Sequence, residues 1–473
     1  MGFTSLAFLG FFPIVWLVYL LLPGRLRAVW LLVASYGFLG TFGIKYLAVL
    51  IGSTGVTWAA GMALENNGNI KRLDSKQVSE TKLETSVGAK SHGPAAAVFV
   101  AVITLHVAAL CFFKYNRSNI ALPVGLSFYT FQAIGYLADV YCGTIQAEHN
   151  LLNFALFQAF FPKLVQGPIE RSGNLLRQIQ NIETLPARDP ERIRRSALLL
   201  IWGLCEKLLI ADRIAIPVNA VYSQFGAFGG VEIILVTVLY AFQIYCDFAG
   251  YTDMARGIAG MLGFDLLANF KRPYQADSVQ DFWRRWHLSL SSWLRDYVYI
   301  PLGGSRKGRF RRAVNILITF GVSGIWHGTG VHFLLWGLLH GVGQIFDIRN
   351  WKLPRWIKRL LMFLFIDATW MVFRVNSLGD LKGMLLVILT NFHLQDFAGM
   401  QLGSFEWILL VLGILVVSAK DVLNEKGFAF RGWILERNAV VRCLIYTALI
   451  GTVLIFGVYG AAYDTSGFLY TQF

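Results

Sequence analysis

A chain of 473 residues that is 56% apolar and only 15% charged, with a mean hydropathy of +0.54, is not composed as a soluble domain, since such domains sit at roughly 45–50% apolar and about 25% charged. Its net charge of +14 falls in short clusters between apolar runs, the pattern of membrane-protein loops and not of a nucleic-acid-binding patch, so no nucleic-acid partner is expected. The five cysteines are scattered without a CxxC spacing, which gives no metal motif and no disulfide framework.

In chain order, residues 4–22, 28–42, 45–64, 94–113, 195–211, 229–246, 357–374, 406–419 and 440–460 read as membrane spans, and 312–346 has room for two more. A span needs roughly 20 apolar residues to cross about 30 Å of hydrocarbon. Stretches 120–141 and 150–168 are apolar but interrupted by Pro, Gly and Gln. They read as broken or re-entrant segments, which need protein or a cavity around them. The expectation is an all-α, multi-pass transmembrane helical bundle of about 10–12 spanning or re-entrant helices, forming a single membrane domain over 1–473. Residues 4–22 lack a basic n-region and a small-residue cleavage site, so they read as a retained first span. Arg25, Arg27, the polar loop 65–94 and the basic run SRKGRFRR at 305–312 are assigned to the cytoplasm, which places the N-terminus on the outer side of the membrane. RNWKLPRWIKR at 349–359 pairs basic residues with two tryptophans, as a short interfacial helix does.

Ionisable groups at membrane depth cost several kcal/mol and mark function by default. His92, His149 and His393 fall in polar loops, and His106 stands alone in an apolar run, where a packed histidine bonded to a neighbouring helix is expected. The remaining four, His287, His327, His332 and His340, share one window. His327 and His332 are five apart, about 140° round a helix, and no HExxH or Cys/His pair is present, so no metal is expected. His327 instead suits a general base. A buried imidazole stays neutral and can take a proton from a hydroxyl that attacks an acyl carbon. In GIWHGTG (324–330), Gly324, Gly328 and Gly330 are expected to leave space for a substrate, with Trp326 as a flat wall.

The stretch DFWRRWHLSLSSWLRDYVYIPLGG (281–304) reads as an amphipathic helix followed by a loop. Trp283, Trp286, Leu290, Trp293 and Leu294 recur at three- and four-residue steps. That suits an interfacial helix with a tryptophan belt and snorkelling arginines, but leaves His287, Asp281 and Asp296 to be explained. Glu170 with Arg171, Glu206 with Lys207, Asp212 with Arg213, and Asp247, Asp253 and Arg256 are charges expected to neutralise one another. The basic surplus near 271–312, with Asn269, Lys271, Arg272, Arg284 and Arg285 beside Trp286, is a candidate contact for the phosphates of a nucleotide-type donor. No Walker or GxGxxG motif is present.

Taken together, 281–304 and GIWHGTG resemble the membrane-bound O-acyltransferase family, most closely its bacterial branch of alginate and peptidoglycan O-acetyltransferases and teichoic acid D-alanine transfer proteins. Supporting stretches are PVGLSFYTFQAIGYLADVY (123–141), FFPKLVQGPIERS (160–172), QIYCDFAGYTDMARG (243–257), NFKRPY (269–274) and the ending GFLYTQF. The resemblance implies a ring of helices around a thinned centre with a central funnel or tunnel, and a catalytic core segment over 245–346. It implies His327 and His287 as the catalytic pair, a thioester donor from the cytoplasm and no bound cofactor. The expected function is transfer of acetyl from acetyl-CoA, in the bacterial inner membrane, towards an envelope polysaccharide, directly or through a partner acetyltransferase. D-alanyl transfer from a carrier protein is the alternative within the family. A non-enzymatic transporter with a His/Asp/Glu pathway is the alternative outside it, though no internal repeat of the kind transporters carry is visible.

Overall fold

The computed structural model describes residues 1–67, 93–115, 122–348 and 351–459. All but the ends of the polar loop 65–94, and the whole of GFLYTQF, lie outside the described residues. Within them the chain is helical and has no strand. The longer helices are α1 (Leu6–Leu21), α2 (Gly24–Gly40), α3 (Ile44–Asn67), α4 (Pro94–Tyr115), α5 (Leu126–Tyr141), α6 (Leu151–Ala159), α7 (Pro190–Leu204), α8 (Asp212–Ser223), α9 (Gly230–Met261), α10 (Gly308–His327), α11 (Val331–Ile345), α12 (Arg355–Arg374), α13 (Leu378–Thr390), α14 (Ser404–Glu425) and α15 (Ala439–Phe456). By length and composition α3, α4, α9 and α15 are each able to cross a membrane. Every expected span has a helix, and the protein is a multi-pass helical membrane protein. Helices α8 and α13 were not anticipated. Both are short and carry charge in the first turn, Asp212 and Asp380, so they lack the long apolar run that marks a span.

Local chemistry sets several boundaries. The side chains of Ser5, Asn150, Ser377 and Asn438 accept from free N–H groups of the first turn of α1, α6, α13 and α15, as N-caps do. The apolar stretch 150–168 breaks at Phe160, two residues before Pro162, because a proline lacks the N–H that would continue the ladder and its ring clashes with the carbonyl four residues back.

The chain forms two compact units. The first comprises Met1–Ala197, Ala255–Leu267 and Ser292–Arg312. In it His106 of α4 is bonded to α3, as a packed histidine should be: Nε2 meets Thr57 Oγ1 at 3.0 Å and Ser53 Oγ at 3.2 Å, while Nδ1 meets the Val102 carbonyl of its own helix at 2.9 Å. Trp293 stacks on Phe131 with centroids 4.0 Å apart and donates to its carbonyl. Arg171 pairs with Asp296 at 2.9 Å and covers the Tyr297 ring, whose hydroxyl donates to Asp139. The buried Lys163 ammonium donates to the Gln132 side chain and the Gln158 carbonyl.

The second unit comprises Leu198–Met254, Ala268–Ser291 and Ala313–Phe473. Its deepest polar feature sits where α7 passes into a π-helical stretch, Cys205–Ala211, a form frequent at special sites. Lys207 bridges Asp212 and Asp247, at 2.7 Å each. Lys420 of α14 reaches Glu206 at 3.0 Å and Asp421 at 3.4 Å. Trp202 donates to Glu206 and Tyr245 to Asp421. The expected mutual neutralisation is realised here across α7, α8, α9 and α14, with its partners supplied by residues far apart in the chain.

Removing one member of a buried pair leaves a bare charge, which costs about 3–5 kcal/mol. Lys207→Met is therefore expected to lower the unfolding midpoint of the detergent-solubilised protein strongly, and adding Asp212→Asn and Asp247→Asn should restore most of the loss. Equal midpoints for wild type and the single variant would show that the bridge is not structural.

Candidate active site

Asn269 builds the turn that carries His287. Its backbone carbonyl accepts from Leu288 N at 2.9 Å, and Lys271 N donates to the Arg285 carbonyl at 2.9 Å, so segments 269–271 and 285–288 run side by side. The buried Asn269 side chain closes the arrangement. Its Oδ1 accepts from Ser289 Oγ at 2.6 Å and from Ser289 N at 3.3 Å, and its Nδ2 donates to Thr252 Oγ1 of α9 at 3.3 Å. Held this way, His287 takes a left-handed backbone with φ of 44°, which costs a residue with a Cβ about 1–2 kcal/mol. The stretch 281–304 is consequently not one amphipathic helix. It is a short helix Val279–Trp283, the His287 turn, a second helix Leu288–Leu294 and a π turn Arg295–Tyr299. Nor are its tryptophans an interfacial belt, for Trp283, Trp286 and Trp293 are all buried. The three- and four-residue spacing, expected to mark one interfacial helix, reports two short helices that each bury an aromatic face.

His287 lies edge-on to Phe248 of α9, with centroids 4.7 Å apart and planes at 90°. Burial pushes its imidazole down to about 3, so the ring is neutral at physiological pH. His327 is the last residue of α10. Its imidazole is enclosed by Trp326 at 4.7 Å, Trp336 at 4.9 Å and Phe373 at 5.4 Å. The Trp326 ring also lies 6.2 Å from His287. One indole therefore flanks both imidazoles.

The glycines around His327 act differently from the expectation. A Cβ at Gly324 would collide with the Phe333 carbonyl, and one at Gly337 with the Phe320 carbonyl, so α10 and α11 pack backbone against backbone. The room beside Gly328 and Gly330 is taken by the rings of Phe333 and His332. These glycines seat neighbouring rings and backbone; they do not leave an open space.

His340 of α11 is a structural member of this group. Trp283 Nε1 donates to its Nδ1 at 3.3 Å, and Thr369 Oγ1 lies 3.1 Å from its Nε2. Because Thr369 donates its own proton to the Ile366 carbonyl at 2.7 Å, its oxygen accepts from Nε2–H, and the network assigns a neutral tautomer protonated at Nε2. This ties α11 to α12 and to the helix Val279–Trp283, behind Trp336.

The remaining candidates divide. Trp286 is packed between Phe282, Phe270 and Trp370. Lys271 and Arg284 are exposed. Arg272 and Arg285 converge on Glu425 at the end of α14. Hydrogen bonds from Arg285, followed by the charges of Arg285, Arg272 and Arg359, hold the Glu425 carboxyl below its ordinary range. No motif in the sequence flags Glu425, Trp336 or Phe373, which sit on distant helices, and Phe248 lies within QIYCDFAGYTDMARG without a role of its own there. Among the described residues no group of three or more His, Cys, Asp or Glu is placed to hold a metal ion.

The sequence profile of the membrane-bound O-acyltransferase family matches residues 144–349, a range that contains both His287 and His327. A probable alginate O-acetylase of Pseudomonas putida is 31% identical over 427 residues, 88% of this chain and 87% of that protein. A peptidoglycan O-acetyltransferase of Helicobacter pylori is 28% identical over 80% of this chain and 79% of its own length. A teichoic acid D-alanyltransferase of Streptococcus thermophilus is 27% identical over 54% of this chain and 69% of its own.

The left-handed turn gives a direct test. Asparagine tolerates that conformation and β-branched residues do not. His287→Asn is expected to keep the thermal midpoint close to wild type, whereas His287→Val should lose about 1–2 kcal/mol beyond it. Identical midpoints for the two variants would remove the turn as the constraint.

Proposed function

Because this chain belongs to the membrane-bound O-acyltransferase family and is an acyltransferase, we propose that it moves acetyl from cytoplasmic acetyl-CoA towards hydroxyls of a cell-envelope polysaccharide. The observation that carries this reading is the pair of buried imidazoles that both neighbour Trp326. His327 takes the proton of an acceptor hydroxyl as that oxygen bonds to the thioester carbonyl carbon. The C–S bond then breaks, and the imidazolium returns the proton to the departing thiolate. His287, neutral and fixed by its turn, orients the reacting groups and stabilises developing charge. Arg272 and Arg285, with Lys271 and Arg284 at the surface, hold the donor's phosphates. The acceptor assignment is supported by the relatives named for alginate and peptidoglycan O-acetylation. Transfer proceeds to the polysaccharide or to a partner acetyltransferase, in a bacterial inner membrane with the N-terminus outside.

Removing a positioned general base lowers rate by about 10²–10⁴-fold. His327→Ala is expected to insert and fold normally yet abolish envelope O-acetylation and the turnover of radiolabelled acetyl-CoA by purified protein. Wild-type O-acetyl levels in that variant would overturn the assignment of His327. Turnover of a D-alanyl carrier protein in place of acetyl-CoA would move the donor to the teichoic acid type and leave the role of His327 standing.

A further inference from the structure

Glu425 is surrounded by more cation than one carboxylate can satisfy. Arg285 grips it with two bonds, Nη1 to Oε2 at 2.9 Å and Nη2 to Oε1 at 3.2 Å, while its Nε is held by Asp281. Arg272 approaches Oε2 at 3.3 Å and is fixed from behind by the Asn424 carbonyl and by a left-handed backbone with φ of 53°. On the other side Arg355 and Arg359, from the first turns of α12, reach Oε1 only at 3.4 and 3.8 Å. Arg355 makes a second long contact with Asp277 at 3.7 Å. The Arg359 Nε is buried and has no hydrogen-bond partner among the described residues.

The inner pair is tightly bound and the outer pair loosely held. Each guanidinium offers five N–H donors, so four present about twenty, against the four or so lone-pair sites of a carboxylate. A carboxylate at a helix C-terminus is also disfavoured by the helix dipole. Beside the cluster in sequence stand the exposed Lys271, Arg284, Lys352 and Lys426 and the exposed Trp351 and Trp356, a composition suited to a membrane–water boundary.

We infer that Arg272, Arg285, Arg355 and Arg359 form a binding cradle for a phosphate group, with Glu425 occupying it as a displaceable competitor. A phosphate brings more acceptor oxygens and more charge than Glu425, and matches guanidinium forks in the same planar way. When it enters, Arg355 and Arg359 close onto it and the free Arg359 Nε–H finds an acceptor. The phosphate belongs either to the headgroup of an anionic lipid or to the phosphate chain of a soluble donor. This extends the donor-phosphate role of Arg272 and Arg285 to a four-arginine site on which Glu425 acts. Its failure would leave His327 chemistry untouched, because it is tested by binding alone.

The test is calorimetric titration of the full-length protein, in nanodiscs of phosphatidylcholine, with inorganic pyrophosphate. Glu425→Gln is expected to tighten binding about tenfold, and Arg355→Ala combined with Arg359→Ala to weaken it about tenfold, the scale of one charge-assisted hydrogen bond. The paired variant alters only the first turns of α12 and keeps the test valid should Glu425→Gln fold poorly. Competition against pyrophosphate by phosphatidylglycerol in the nanodisc assigns the cradle to a lipid headgroup, and competition by free CoA assigns it to a soluble donor. If pyrophosphate affinity is the same in wild type and both variants, Glu425 and its arginines are a structural ion cluster and the inference falls.

Discussion

Hydrocarbon offers a charge no partner, and this constraint shapes the protein from its ion pairs to its candidate active site. In water Lys207 would need no carboxylate; here it is held between Asp212 and Asp247, and Lys420 between Glu206 and Asp421. Such clusters stabilise little compared with apolar packing, but they are very costly to break. They therefore act as registers. Helices α7, α8, α9 and α14 can meet in one arrangement that leaves no charge bare, and many that do.

The same scarcity of partners explains why the candidate base is a histidine among aromatic rings. Trp326, Trp336 and Phe373 enclose His327, and Phe248 and Trp326 enclose His287. Rings of this kind exclude water, and at His287 that burial holds the imidazole well below its usual range, in the uncharged form. Enclosure needs close helices, and Gly324 and Gly337 supply that by letting α10 and α11 touch through their backbones. The strained turn at His287 follows the same logic. A strained backbone persists only where its surroundings over-determine it, and four hydrogen bonds through Asn269 do so here.

Much of this was legible in the chain. Apolar length located the helices, and the clustering of four histidines in one window points to the region where His287, His327 and His340 share aromatic neighbours. His106 was read correctly because an isolated histidine in an apolar run has few alternatives to bonding a neighbouring helix. What the sequence concealed was contact between distant segments. Glycines beside His327 look like vacant space in one dimension, and only the partner helix shows that Phe333 and His332 fill it. The tryptophans of 281–304 have the spacing of a lipid-facing stripe, and nothing local says that Phe270, Trp370 and Phe131 cover them. Glu425 is a charge at the end of an apolar helix until Arg272, Arg285, Arg355 and Arg359 are seen around it.

An acyltransferase embedded in a membrane has two incompatible requirements. Its chemistry favours a dry site, and the nucleotide-type donor proposed above would carry phosphates that must remain solvated or ion-paired. The segment 284–287 meets both within four residues. Arg284 is exposed, Arg285 is ion-paired at Glu425, Trp286 is packed among aromatic rings, and His287 is sealed in the turn. The transition from wet to dry is thus made along the backbone itself, and the bond between Lys271 N and the Arg285 carbonyl locks it in place.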